Sequence, residues 1–175
     1  MTARMGEAFD MGRALSDIEA LLAEPLPAAG PTTREGAPDT GEWSATRGEG
    51  FVLVPLWEGE ALTGVYGREW DAVTSKAQEH LVSLAAELDR RWGAHRMVGM
   101  HVPLFRKQAG EALPEPFQAL SDHDFYGDLA VWGPVTGDSG PRWVGVSLNH
   151  YDGDAPMIMT ALVADRPITE LDEQT

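Results

Sequence analysis

The chain has 175 residues, of which 43% are hydrophobic, so it is long and apolar enough to build one ordinary folded domain. It contains no cysteine, which excludes disulfides, zinc–thiolate sites and cysteine nucleophiles. Its formal net charge of −15 disfavours nucleic acid and anionic membranes as partners, because both are polyanions.

The negative charge is concentrated towards the C-terminus. Residues 111–175 contain 12 acidic residues and only two basic ones, Arg142 and Arg166, which gives this part a net charge of −10. Such a field favours fast, salt-sensitive association with a cationic protein, although acidity also serves solubility. No stretch reaches the roughly 18 apolar residues of a membrane span, and the first residues lack the apolar run of a secretory signal. We therefore expect a cytoplasmic protein.

The first predicted element is a helix over residues 11–24, ended by Pro25. The apolar residues that recur on one face of this helix are Met11, Leu15, Ile18 and Leu22. Residues 25–50 contain four prolines and five glycines, which is typical of a linker or a long loop. This pattern predicts an N-terminal helical arm, residues 1–24, that is joined to the rest of the chain by that linker.

Two apolar segments of strand length, 51–57 and 96–105, flank the clearest helix, 75–92. The residues that form the apolar stripe of this helix are Ala77, Leu81, Leu84, Leu88 and Trp92. Both strand segments contain a proline, which cannot donate to a sheet ladder, so 51–57 is placed at a sheet edge or ends at Pro55.

Three meandering strands follow, within 126–135, 142–150 and 157–164, and the first two are joined by a turn at 137–141. The sequence therefore predicts an α+β fold with a mostly antiparallel five-stranded sheet, β-α-β and then a three-stranded meander. The long helix is expected to pack on one face of the sheet, and the Pro/Gly-rich linker connects the N-terminal helix to it. The α+β domain spans 51–165, and residues 166–175 form a polar, frayed tail.

Two stretches resemble each other: SDHDFYGD at 121–128 and NHYDGD at 149–154. Neighbouring strands of a sheet lie about 4.8 Å apart, so His123 and His150, each near a strand end, could come close together. One hypothesis is a metal site, and its ligands are His101, His123 and His150. A related hypothesis is acid–base catalysis, and its residues are His123, His150, Asp124 and Asp152. The favoured interpretation is turn chemistry, because Asp, Asn and Gly form loops and no known metal signature matches.

The other candidate site is a partner-binding surface. Trp132 and Trp143 lie nearly equidistant from the 137–141 turn, which predicts an aromatic pair across two strands. The carboxylates of the predicted rim around this pair are Asp122, Asp124, Asp128, Asp152 and Asp154. Aromatic anchors ringed by acid suit a basic protein partner.

These observations favour a small acidic protein-binding module, of the immunity or antitoxin type, that occludes a basic protein such as a nuclease toxin. No nucleotide-binding glycine motif and no G-x-S-x-G nucleophile elbow is present, so no cofactor is expected. Two alternatives stay open. One is the metal-dependent or acid–base enzyme described above. The other is an oligomeric accessory protein that pairs through an exposed edge strand at 51–57.

Overall fold

The computed structural model describes residues 6–37, 42–150 and 154–172. The helices in these ranges are α1 (Met11–Ala23), α2 (Gly67–Trp92), α3 (His101–Gln108) and α4 (Phe117–Asp122). The strands are β1 (Thr33–Ala37), β2 (Glu42–Gly48), β3 (Phe51–Glu58), β4 (Arg96–Val98), β5 (Leu129–Gly137), β6 (Gly140–Asn149) and β7 (Ile158–Ala164). They form one antiparallel sheet in the order β1-β2-β3-β7-β6-β5-β4.

The sheet is the middle of three layers. One face packs against α1 and α2 around Ile18, Leu84 and Trp132. The other face is covered by α3, α4 and the segment that follows β7. Every residue of β7, in the centre of the sheet, is buried, as expected for a strand covered on both faces. None of the helices in the described ranges combines the length and the apolar character that a membrane crossing needs.

The N-terminal helix is confirmed, but it is not a detached arm. Asp10 begins it by accepting a hydrogen bond from the backbone N–H of Arg13 at 3.1 Å. The residues that α1 buries in the core are Ala14, Leu15, Ile18 and Leu21. The helix is therefore an integral part of the layer that also contains α2.

The prediction of a linker at 25–50 is wrong, because β1 and β2 lie within it and raise the number of strands from five to seven. The described side chains of β1 are all exposed, so no apolar alternation marks the strand in the sequence. Its position depends on pairing with β2 and on Arg47, whose guanidinium contacts Glu24 at 2.8 Å and Glu35 at 2.7 Å.

The segment 51–57 is not at the edge of the sheet. As β3, it pairs with β7 along its whole length and with β2 through Phe51, Val52 and Leu53. The pairing with β2 stops before Pro55, which has no N–H to contribute. The segment therefore lies between β2 and β7 in the strand order and is not the exposed edge strand that the oligomeric alternative requires.

The strand predicted at 96–105 is correct only for its first residues. The chain leaves the sheet after Val98 and forms α3 from His101. Pro103 lies in the first turn of this helix, where its missing N–H removes no helical hydrogen bond. The helix predicted from residue 75 begins instead at Gly67. Its first turns are mostly exposed and carry no apolar stripe, so the hydrophobic pattern did not indicate them.

The tail is also more ordered than its polarity indicates. Ile168 is 1% exposed, and its carbonyl accepts a hydrogen bond from Arg96 at 2.6 Å. Glu170 accepts from the backbone N–H of Gly99 at 3.1 Å. The chain after β7 is therefore fixed onto the layer that contains α3.

Candidate functional site

The segments 121–128 and 149–154 meet at one point, but that point is closed to ligands. The N–H of Gly127 donates to Asn149 Oδ1 at 2.9 Å. Asn149 donates to the Ser147 hydroxyl at 3.0 Å, and the Ser147 and Thr160 hydroxyls are 3.0 Å apart. All three of these residues are buried, since Ser147, Asn149 and Thr160 are each no more than 1% exposed. The junction is therefore a satisfied, buried hydrogen-bond network.

The histidines of the two segments pack into different layers. The ring of His123 stacks on Phe125 at 4.9 Å, in the layer of α3 and α4. The ring of His150 contacts Trp70 of α2 at 5.8 Å, on the other face of the sheet. His101 is exposed at the start of α3. The three do not converge, and no group of three or more His or acidic side chains within 6–37, 42–150 and 154–172 is arranged to hold a metal ion. Asp152 lies outside the described residues.

His123 is a buried, neutral side chain that links distant segments. Its Nε2 lies 2.8 Å from the hydroxyl of Thr46 on β2, and the indole N–H of Trp43 donates to the same hydroxyl at 2.9 Å. The hydroxyl proton is then available to donate to His123 Nε2. Burial above all, together with the charge of Arg34, lowers the pKa of His123 to about 4. The side chain is 9% exposed and holds β2 to the segment after α4.

Three carboxylates of the predicted acidic rim accept hydrogen bonds from within the protein. Asp122 accepts from Gln118 at 2.8 Å, Asp124 from Lys107 at 3.0 Å, and Asp128 from the backbone N–H of Met100 at 3.0 Å. Asp124 has a φ of 58°, in the left-handed region that Asp tolerates in turns. These three carboxylates are exposed. Asp122 pairs with Gln118 within α4, whereas Asp124 and Asp128 hold the chain between α4 and β5 to α3.

The two tryptophans lie on opposite faces of the sheet. Trp132 is 2% exposed, packs beside Trp92, and donates its indole N–H to Asp89 at 2.9 Å. Trp143 is half-buried on the other face, against the backbone of Gly133. An irregularity in the β5–β6 register after Trp132 accompanies this arrangement. Trp132 is therefore a core residue and does not belong to a partner-binding surface.

Asp89 is a partly exposed carboxylate near the end of α2 that borders the core around Trp132. Burial alone would raise its pKa, but hydrogen bonds from His95 and Trp132 outweigh that effect and lower the pKa of Asp89. His95 donates its backbone N–H at 3.0 Å, and its ring Nδ1 lies at 2.9 Å. The charged side chain thus holds together the end of α2, the following turn and β5.

A cleft of about 380 Å³ opens where α2 begins, and sequence reasoning missed it. Its lining residues are Val65, Tyr66, Gly67, Trp70, Asp71 and Asp154. Tyr66 is 77% exposed, which is unusual for a large aromatic side chain, and Trp70 is half-buried. The spacing of Tyr66 and Trp70 could have indicated a shared helix face, but the predicted helix began only after them. Of the residues of the predicted rim that the structure describes, Asp154 lines this cleft.

No protein-family model, curated protein or solved structure matches this chain. The charge of the chain and the geometry of its surface are the observations that bear on its function. Of the features described above, the cleft at the start of α2 combines exposed aromatic surface with carboxylates. The buried contacts of His123 and, separately, those of Asn149 hold the fold together.

Proposed function

We propose that this chain is a small, acidic, cytoplasmic protein-binding module that occludes a basic protein partner, in the manner of an immunity protein that neutralises a nuclease. The observation that carries the proposal is the excess of 28 acidic over 13 basic residues. A nuclease surface that binds phosphates is cationic, so carboxylates can occupy the same positions. Occlusion of that surface would inhibit the partner without any chemical step.

The distribution of ion pairs supports this proposal. Some arginines of the described ranges contact two carboxylates each: Arg13 with Glu7 and Asp17, Arg47 with Glu24 and Glu35, and Arg91 with Glu19 and Glu87. These cations are already engaged within the protein. The surplus carboxylates, such as Asp71 and Asp122, therefore give the surface its negative potential, which is what accelerates association with a cationic partner.

The two alternative functions have less support. A divided acid–base or metal site needs His123 and His150 in one place, and they pack into different layers. Pairing between copies through 51–57 needs a free edge, and β3 has a strand on each side. Neither alternative is favoured by a specific contact in the described residues.

The proposal is tested with the full chain and the basic proteins encoded beside its gene. We expect one of them to bind at low ionic strength, with an association rate that falls steeply as sodium chloride is added. If that partner is a nuclease, its activity should fall to zero at an equimolar amount of this protein. Stopped-flow association kinetics and a nuclease assay measure the two effects.

A neutral or acidic protein from the same neighbourhood serves as the control and should not bind. If no basic neighbour binds, or if the association rate of a bound neighbour does not change with salt, charge complementarity is not the basis of the function.

A further inference from the structure

We infer that the cleft at the start of α2 binds an arginine side chain of the basic partner. This inference rests on the proposed function and assigns its main contact. Tyr66 is the extended residue that precedes α2 and Trp70 lies in the first turns of that helix, and both side chains line the cleft. Asp71 and Asp154 add a carboxylate from each side of the cleft, one from α2 and one from the loop between β6 and β7. Aromatic rings and carboxylates together are the groups that recognise a guanidinium.

The electrostatics of the cleft favour a cation despite the helix that begins there. The N-terminus of a helix carries roughly half a positive elementary charge. Asp71, Asp154 and Glu69 each bring a negative charge, and Arg68 in the first turn of α2 offsets one of them. The helix end is therefore overcompensated, and the local potential has the same negative sign as the whole protein.

The walls of the cleft are held by buried contacts, so the site is preformed. The N–H of Leu62 donates to the carbonyl of Asp154 at 3.0 Å, which ties the loop before α2 to the loop before β7. Leu62 is 1% exposed and packs in a small core with Ala77 and Met157 beneath the cleft. A preformed site does not lose binding energy to loop ordering.

The chemistry of the cleft distinguishes arginine from lysine. A guanidinium is planar, so it can stack on Tyr66 or Trp70 while its N–H groups donate to Asp71. The ammonium of lysine is compact and strongly hydrated, and it cannot make both contacts with the same geometry. A general attraction between opposite charges would treat the two residues alike.

The test is calorimetric titration of the full chain with an arginine-rich peptide and with a lysine-rich peptide of the same length and charge. We expect the arginine-rich peptide to bind more tightly to the native protein. Tyr66→Ala should weaken its binding roughly two- to fivefold, the loss expected for an exposed cation–π contact, whereas Tyr66→Phe should retain the affinity. Tyr66 is 77% exposed, so neither change threatens folding.

Asp71→Asn is matched with Glu111→Gln, since each removes one negative charge from an exposed residue and Glu111 follows α3 on the other side of the sheet. We expect Asp71→Asn to weaken arginine-rich binding by more than Glu111→Gln. Equal losses, equal affinity for the two peptides, or an undiminished affinity of Tyr66→Ala would each overturn the assignment of the cleft. The proposed function fails separately, if the basic gene neighbours do not bind.

Discussion

At the scale of single residues, His123 is a described side chain whose pKa the fold changes strongly. It is buried, stacked on Phe125, and hydrogen-bonded to Thr46. Because burial lowers its pKa to about 4, the folded protein keeps this imidazole neutral where an unfolded chain, with a pKa of about 6.5, would protonate it. Folding and protonation are therefore linked at this position.

We expect stability to fall as the pH drops through this window. The unfolded chain takes up a proton first, so the contribution of neutral His123 is fully present above about pH 6.5 and is lost between about pH 6.5 and pH 4. The pKa difference corresponds to roughly 3 to 3.5 kcal/mol of unfolding free energy. Urea unfolding at several pH values across this range measures how the unfolding free energy changes with pH.

His123→Gln provides the comparison, because an amide oxygen can still accept from Thr46 but does not titrate. The unfolding free energy of this variant should depend less steeply on pH than that of the native protein. His101→Gln, at an exposed position, should leave the pH dependence unchanged. Equal slopes for the native protein and His123→Gln would show that His123 does not control acid stability.

At the scale of elements, the connection between α4 and β5 depends on a close approach of two backbones. A Cβ on Gly127 would lie 2.1 Å from the carbonyl oxygen of Leu148 and 2.9 Å from Asn149 Oδ1. Both are closer than real Cβ contacts, and the first involves backbone that cannot rotate away. The glycine therefore allows this loop to reach the buried polar network of β6 and β7.

Gly127→Ala should consequently destabilise the fold by about 2 kcal/mol, since the loop must move and the hydrogen bond to Asn149 is strained. The matched change is Gly12→Ala in α1, where a Cβ would meet its nearest neighbour at 3.4 Å. That variant should gain up to about 1 kcal/mol from helix propensity. Chemical denaturation compares the two, and a Gly127→Ala variant as stable as the native protein would contradict the packing described here.

The elements also show how far sequence reasoning reaches. α1 was predicted because its apolar residues recur with the period of a helix. The last three strands were predicted because their apolar residues alternate or, in β7, form a continuous run. β1 was missed because it is an exposed edge strand, held by pairing and by Arg47. The cleft at α2 was missed for a related reason, since the exposed first turns of that helix carry no stripe. Placement of side chains such as Trp132 depended on the register of β5, which local alternation does not determine.

At the scale of the whole molecule, net charge opposes folding. The ion pairs of the described residues are partly or fully exposed to solvent, and an exposed pair contributes at most about 1 kcal/mol. Against them stand 15 negative charges in excess, which repel one another more strongly in the compact state than in the unfolded chain. Salt screens both effects, and the excess decides which one dominates.

We therefore expect the melting temperature to rise when sodium chloride is added to a low-salt buffer, with most of the gain complete once the Debye length has fallen to about 10 Å. Replacing Glu49, Glu60 and Glu111 by Gln removes three exposed charges that form no ion pair in the described ranges. This triple variant should be more stable than the native protein at low salt and should gain less from added salt. A melting temperature that falls with salt would mean that the surface ion pairs outweigh the repulsion.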